Sequence, residues 1–342
     1  MSLSTVTWRQ VLAAIAAALV SLGAVVVLVR SGGLDAIDAT AGRATRWFVG
    51  QGGERVVLAD GYRGRVLATL DPGSPGEALT VAQGGSGAYL LDPATGEVRV
   101  IDSATLRIGP PVALAELGAD QPVVAAGASG LVVVDRTDQT AAIMPPGGDP
   151  VTFDVRVEPG ADVLVAPDGA VWSVVGDQVE RRTSTGATTL PVGVDAVELS
   201  LVGSRPLLLD RAARRVRFDD GRWIALPSDV VTSEIVVQEP GPGNDCGWVG
   251  AGEELWCIGP DGPLSTVSVP GLGLGGGDQL AIGGDAAVVV DPAGPEIVRF
   301  DWRRGEILQN QQASVSSDAS LQVTATADMV WIDDVNGRFV RS

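Results

Sequence analysis

The sequence contains no histidine, and because all 24 of its basic residues are arginine it contains no lysine either. These two absences remove whole chemistries. A Ser-His-Asp or Cys-His relay and an imidazole metal site need histidine, while a Schiff base and a P-loop need lysine. A GC-rich coding sequence accounts for the same bias, and the chemical consequence holds whatever its origin. Cysteine is almost as scarce, with two residues in 342, too few for a zinc knuckle in a chain without histidine. Basic charge is also short. Against 42 acidic residues it leaves a net charge of −18, which repels phosphate backbones and anionic headgroups and excludes nucleic acid as an expected partner.

What the chain does have begins with one uninterrupted apolar run. "VLAAIAAALVSLGAVVVLV", residues 11–29, carries no charge and is flanked by Arg9 and Arg30. As a helix it would span roughly 28 Å, enough for a bilayer core. A cleaved signal peptide is the competing reading, but its apolar region is shorter and ends in a small-residue cleavage site, whereas "VLVRSGG" follows here. The expectation is an uncleaved signal-anchor, with residues 1–10 as a short cytoplasmic N-terminus and 30–44 as a linker. Arg9 places the N-terminus inside, while Arg30, Arg43 and Arg46 pull the other way, so charge alone leaves orientation nearly tied. Asp35 and Asp38 add no pull towards the cytoplasm, and a paired reading of the cysteines sets residues 45–342 outside the membrane.

That large region shows no second change of composition. Instead one phrase recurs: a short apolar run, an aspartate-opened turn, then a second short strand. "AYLLDPATGEVRVID", "GLVVVDRTDQTAAIM", "AVWSVVGDQVERRT", "RPLLLDRAARRVRFDDG", "AAVVVDPAGPEIVRFD" and "MVWIDDVNGRFV" open their turns at Asp92, Asp135, Asp177, Asp210, Asp291 and Asp334. "EELWCIGPDGPLSTVS" near Asp261 is an imperfect copy. Spacings average about 40 residues, the length of one four-stranded propeller blade. A blade cannot bury both faces alone and must stack on neighbours, which is why the phrase returns. The fold class is therefore all-β: a β-propeller of about seven blades, with six to eight as the range, preceded by a single transmembrane helix. No segment after Val29 sustains a helical period, and a β-sandwich array would show linkers that are not visible.

"VRVIDSATLRIGPP" resembles the YVTN-type propeller repeat, and "YLLDPATGEV" is similar to the turn of PQQ-like repeats. The layout of short N-terminus, anchor and Asp-turn propeller resembles actinobacterial envelope proteins in which such a region precedes Ig-like or fibronectin type III modules. The resemblance covers one blade well and implies fold, not activity. The chain reaches Ser342 directly after "WIDDVNGRFVRS", so either its last strand closes the ring with an N-terminal strand such as "RWFVG" or a longer protein continues beyond it.

Five features stand as candidate sites. Cys246 and Cys257 bracket "CGWVGAGEELWC"; with Gly250 to Glu253 as a loop they fall opposite each other at a hairpin base, Trp248 facing Leu255, and suit a disulfide, with two buried thiols as the other reading. "DDVNG", residues 333–337, is a weak calcium match, and hydrogen bonding within turns explains the aspartates as well. "GLGLGGGD", residues 271–278, lacks a following helix and reads as a mobile connection between blades rather than a phosphate cradle. Trp172, Trp256 and Trp331 sit inside apolar runs and read as inter-blade packing. Trp223, Trp248 or Trp302 would offer carbohydrate stacking only if exposed.

No catalytic, cofactor or metal residue is assigned, and no cofactor is expected. The expected function is a non-enzymatic, membrane-anchored extracytoplasmic propeller that binds or scaffolds envelope or membrane proteins. A carboxylate-based hydrolase or lactonase-like propeller is the alternative, since two carboxylates suffice for glycosidase chemistry. A third reading is a membrane-complex subunit recruited through its helix.

Overall fold

The computed structural model describes residues 45–50, 53–73, 79–84, 87–114, 122–194, 197–283, 286–292, 296–312, 321–326, 329–334 and 340–341. The expected N-terminus, membrane segment and linker lie outside these residues. Among the described residues no helix is long and apolar enough to cross a membrane.

The described chain is built almost wholly of short antiparallel strands arranged as a propeller. Seven blades follow one another in a common sense. Their innermost strands are Thr80–Gly84, Val123–Gly127, Val163–Val165, Glu198–Val202, Val236–Val237, Gln279–Gly283 and Leu321–Ala325, here opening blades 1 to 7. Blades 2 to 6 have four strands each, the fourth strand of blade 1 is split into two short pieces, and three strands of blade 7 are described. A further sheet of three strands, Thr45–Val49, Val56–Asp60 and Arg65–Leu70, precedes blade 1 and fills the gap between it and blade 7.

This N-terminal sheet runs opposite to the blades. Gln83, near the end of the innermost strand of blade 1, bonds the Thr45 carbonyl and the Trp47 N–H. At the other end Arg99, aligned with Leu90 and Val81, donates to the Pro72 carbonyl just past Leu70, which aligns with Val56 and Val49. On the opposite side a Cβ on Gly61, beside the Asp60 partner of Thr45, would collide with Met329, in the turn that follows the innermost strand of blade 7. Both seams place Thr45 where the neighbouring innermost strands finish. The reversal has a geometric cause: a three-stranded sheet leaves on the side opposite its entry, so only the reversed sense delivers the chain to the face where blade 1 begins. The expected closing strand "RWFVG" therefore does lie beside the last blade, but it stacks there within its own sheet instead of joining the last one.

The core sits between sheets, not inside one. Seven hydrophobic clusters each straddle one seam, from Trp47, Leu58 and Leu90 beside blade 1 to Val290, Val323 and Ile332 between blades 6 and 7. The strands supply both seams because alternate residues face opposite neighbours. In blade 2, Leu131 and Val133 pack towards blade 1 while Val132 and Val134 pack towards blade 3. Each such side chain contributes roughly 1.5–3 kcal/mol on full burial. The seam with blade 7 is aromatic, with Phe48 and Trp331 rings 5.7 Å apart.

All six turn-opening aspartates fall at the bend from second to third strand of their blades, as the repeat requires. Asp135 accepts the Thr137 and Asp138 N–H groups at 2.8 and 3.0 Å, and Asp92 and Asp210 do likewise with Ala94 and Ala213. The copy near Asp261 looked imperfect because it comprises the third and fourth strands of blade 5, whose second-to-third bend is Gly252-Glu253.

Candidate functional site

Blades 4 and 5 carry the most unusual group of polar side chains. Val202 and Val237 belong to the cluster between these blades, so strand alternation turns Ser200 and Glu198 towards blade 5 and Glu239 towards blade 4. The Ser200 hydroxyl donates to the Gln238 carbonyl, and the Glu239 N–H donates to the Leu280 carbonyl of blade 6 at 2.7 Å. Three successive innermost strands are thereby joined, through bridges at Val202 with Gly241 and Gln238 with Leu280. Arg211, in the second-to-third bend of blade 4, pairs with Glu198 and donates to the Ile235 and Thr232 carbonyls at 2.8 and 3.0 Å, clasping blade 5.

Glu239 is the exception within this frame. Its carboxylate accepts no hydrogen bond among the described residues, and burial, reinforced by the Glu198 charge, pushes its pKa up to about 7. Arg211 is committed to Glu198 and to two carbonyls, so it does not offset that burial. Beside the Glu198–Arg211 pair the seam thus holds a carboxyl group able to carry a proton near neutrality, as acid and base chemistry requires of one partner. Sequence reasoning missed both residues. The signal was the alternation of Val237 and Glu239, which sets a carboxyl group on an apolar face.

On the opposite face an open hollow of about 600 Å³ lies between third-to-fourth strand turns of the same two blades, lined by Asp220, Gly221, Arg222, Pro260 and Asp261. Its lining is mixed in charge and wide open to solvent. Among the described residues no three acidic or sulfur side chains gather at a metal-binding distance.

The two cysteines are joined, with Cα atoms 5.5 Å apart. The hairpin between them differs from expectation. Its turn is only Gly252-Glu253, with Gly252 at a φ of 57°, so Ala251 pairs with Glu254 and Trp248 stands opposite Cys257 rather than Leu255. A glycine that accepts positive φ allows the tighter turn, which moves every later pairing. Trp172, Trp256 and Trp331 are buried as expected. The stacking surface is not assembled: Trp248 is buried and meets Trp302 edge-on at 5.2 Å, while Arg215 covers Trp223. "GLGLGGGD" does connect blades 5 and 6, but it is pinned rather than loose. Leu272 and Leu274 are buried, Leu274 exchanges backbone hydrogen bonds with Gly252, and Asp278 accepts the Gly275 N–H at 2.8 Å. Residues 335–337 of the calcium candidate lie outside the described residues.

No family model matches the chain, and neither does any characterised protein sequence. Solved structures do. Virginiamycin B lyase from Staphylococcus aureus is 13% identical, with a TM-score of 0.52 over 75% of this chain and 90% of that one. The dihydro-heme d1 dehydrogenase NirN is 12% identical, with a TM-score of 0.54 over 92% of this chain and 75% of its own. The computationally designed Ika8 protein is 18% identical, with a TM-score of 0.53 over 84% of this chain and 90% of its own. At these identities the likeness is one of fold, and that fold carries lyases, dehydrogenases and designed proteins alike.

Proposed function

We propose that this chain is a membrane-anchored extracytoplasmic propeller that binds or scaffolds proteins of the cell envelope. The disulfide between Cys246 and Cys257 carries the location, because such bonds persist in oxidising compartments. The apolar run at 11–29 supplies the anchor, with the N-terminus inside. The binding role is supported by how the carboxylates are used: Asp92, Asp135, Asp210 and Asp301 spend oxygens on backbone N–H groups of their own turns. They hold a frame. The repeat resemblance to bacterial YVTN and PQQ-like propellers, and the actinobacterial envelope layout, agree with this reading.

The test is co-purification from native membranes with the full chain and with a form lacking residues 11–29. The reading expects the same envelope protein to be retained by both forms, by contact with the ring. Loss of the partner only when 11–29 is removed would transfer recruitment to the helix and overturn the scaffold reading.

One observation favours a second reading, a carboxylate-based hydrolase or lactonase-like enzyme. Glu239, with its pKa near 7, faces Glu198, and the two could serve as proton donor and acceptor. Turnover of ester, lactone or glycoside substrates that disappears in both Glu239→Gln and Glu198→Gln would establish it.

A further inference from the structure

The two faces of the ring differ in what they expose. First and third strands of the blades finish on the face where the chain enters at Thr45, while the second-to-third bends lie on the far face. Among the described residues seven large apolar side chains are exposed, and six of them lie towards the entry face. Tyr62 and Val66, 56% and 54% exposed, sit in and beside the turn between Asp60 and Arg65, the residues aligned with Thr45. Val100 comes two residues before the third strand of blade 1 ends on that face. Val151, Leu264 and Leu308 fall within the first three residues of fourth strands that start there. Of the seven, only Val231 belongs to the far face.

Charge divides the same way. On the far face Asp135 and Asp138 hold the bend of blade 2 and Glu253 and Glu254 that of blade 5. In blade 6 burial, joined by the Asp291 and Glu296 charges, raises the pKa of Asp278. Arg211 and Arg215 on that face are spent on Glu198 and Asp210. The entry face has Arg63 and Arg65 in its N-terminal sheet and Arg107, Arg222, Arg303 and Arg304 at third-to-fourth turns. Arg63 reaches Asp60 only at 3.9 Å, and Arg65 is exposed. Asp102 and Asp301 there accept backbone N–H groups of their own turns. The net charge of −18 is therefore carried mostly on the far face.

We propose that the entry face lies against the headgroup layer of the bilayer, with Tyr62 and Val66 entering it and Arg63 and Arg65 meeting lipid phosphates. This rests on the reading of residues 11–29 as an anchor. Chain continuity then selects the occupant. Residues 30–44, even fully extended, reach no more than roughly 50 Å, so the turn aligned with Thr45 is held close to that same bilayer. Such tethering raises the local concentration of the two surfaces, and a weak contact suffices. Tyrosine suits the boundary because its ring is apolar and its hydroxyl wet. Arginine is drawn to anionic headgroups over about a Debye length, while the acidic far face is repelled and turned outwards. The ring is thereby oriented as well as attached.

The experiment uses the full chain reconstituted into vesicles of phosphatidylcholine and phosphatidylglycerol that contain a headgroup-spin-labelled lipid. Cys246 and Cys257 are joined, so an introduced cysteine is the one thiol available to a fluorescent dye. A dye at Tyr62→Cys should be quenched several-fold more than one at Thr137→Cys, exposed in the far-face bend of blade 2. Adding Arg63→Glu with Arg65→Glu should bring the quenching at position 62 down towards that at 137. All these positions are exposed, and near-UV dichroism confirms the fold of each variant. Flotation with the vesicles tests the anchor separately: a chain that does not float overturns the anchor and this proposal with it. A chain that floats while positions 62 and 137 are quenched equally overturns the proposal alone. So does a dye at position 62 that is shielded from water yet unquenched, which would assign the face to a protein.

Discussion

Glu239 faces Glu198 across the seam between blades 4 and 5, and only Glu198 has an arginine partner. The pKa of Glu239 is raised from 4.5 to about 7, so the folded state binds its proton more tightly than the unfolded chain does. Stability is then full below about pH 4.5, falls as pH rises from there to 7, and stays reduced above that. The loss is of order 3 kcal/mol. Glu239→Gln removes it, so the variant is expected to be more stable than wild type at pH 8 and to show a flatter profile from pH 4.5 to 7 in urea unfolding.

Asp135 and Asp210 occupy equivalent bends, yet differ at one oxygen. Arg215, opposite Asp210, donates its Nε to Oδ2 at 2.9 Å, whereas Thr140 stands opposite Asp135, whose buried Oδ2 has no partner. Thr140→Arg is expected to stabilise the protein by about 1 kcal/mol, through a hydrogen bond to a charged group. Asp135→Ala should cost about 1–2 kcal/mol by stranding the Thr137 and Asp138 N–H groups. Chemical denaturation midpoints separate the two.

Gly127 marks where blades 2 and 3 touch through backbone. A Cβ there would collide with the Pro167 carbonyl oxygen, which also accepts the Ala128 N–H at 2.8 Å. Gly127→Ala is expected to destabilise by about 1–3 kcal/mol through overpacking. Gly186→Ala, where no atom crowds the site, should stay within about 0.5 kcal/mol, as surface changes usually do. Thermal melts of the pair test the contrast.

Cys246→Ser with Cys257→Ser is expected to lower stability by on the order of 3 kcal/mol under oxidising conditions and to change nothing further when reductant is added. Reduction of the wild type should reproduce the double variant.

The blade repeat was legible because each second strand must end in a turn, and aspartate marks that turn by bonding the backbone N–H groups beyond it. Trp172, Trp256 and Trp331 announced their burial through the apolar runs around them. The reversed N-terminal sheet was not legible, since strand sense follows from where the chain must exit and not from composition. The hairpin of Cys246 and Cys257 slipped by the width of its turn, a choice Gly252 makes through its positive φ. Glu198 and Glu239 escaped notice because they lie far apart in sequence and meet only when two blades stack. Trp248, which looked like a candidate stacking surface, instead fills the seam against Trp302.

Protease treatment of intact spheroplasts, followed by thiol alkylation before and after reduction, tests the central claim most directly. The account predicts that the propeller is digested without permeabilisation and that Cys246 and Cys257 become alkylated only after reduction. A protected propeller whose thiols react without reductant would contradict it.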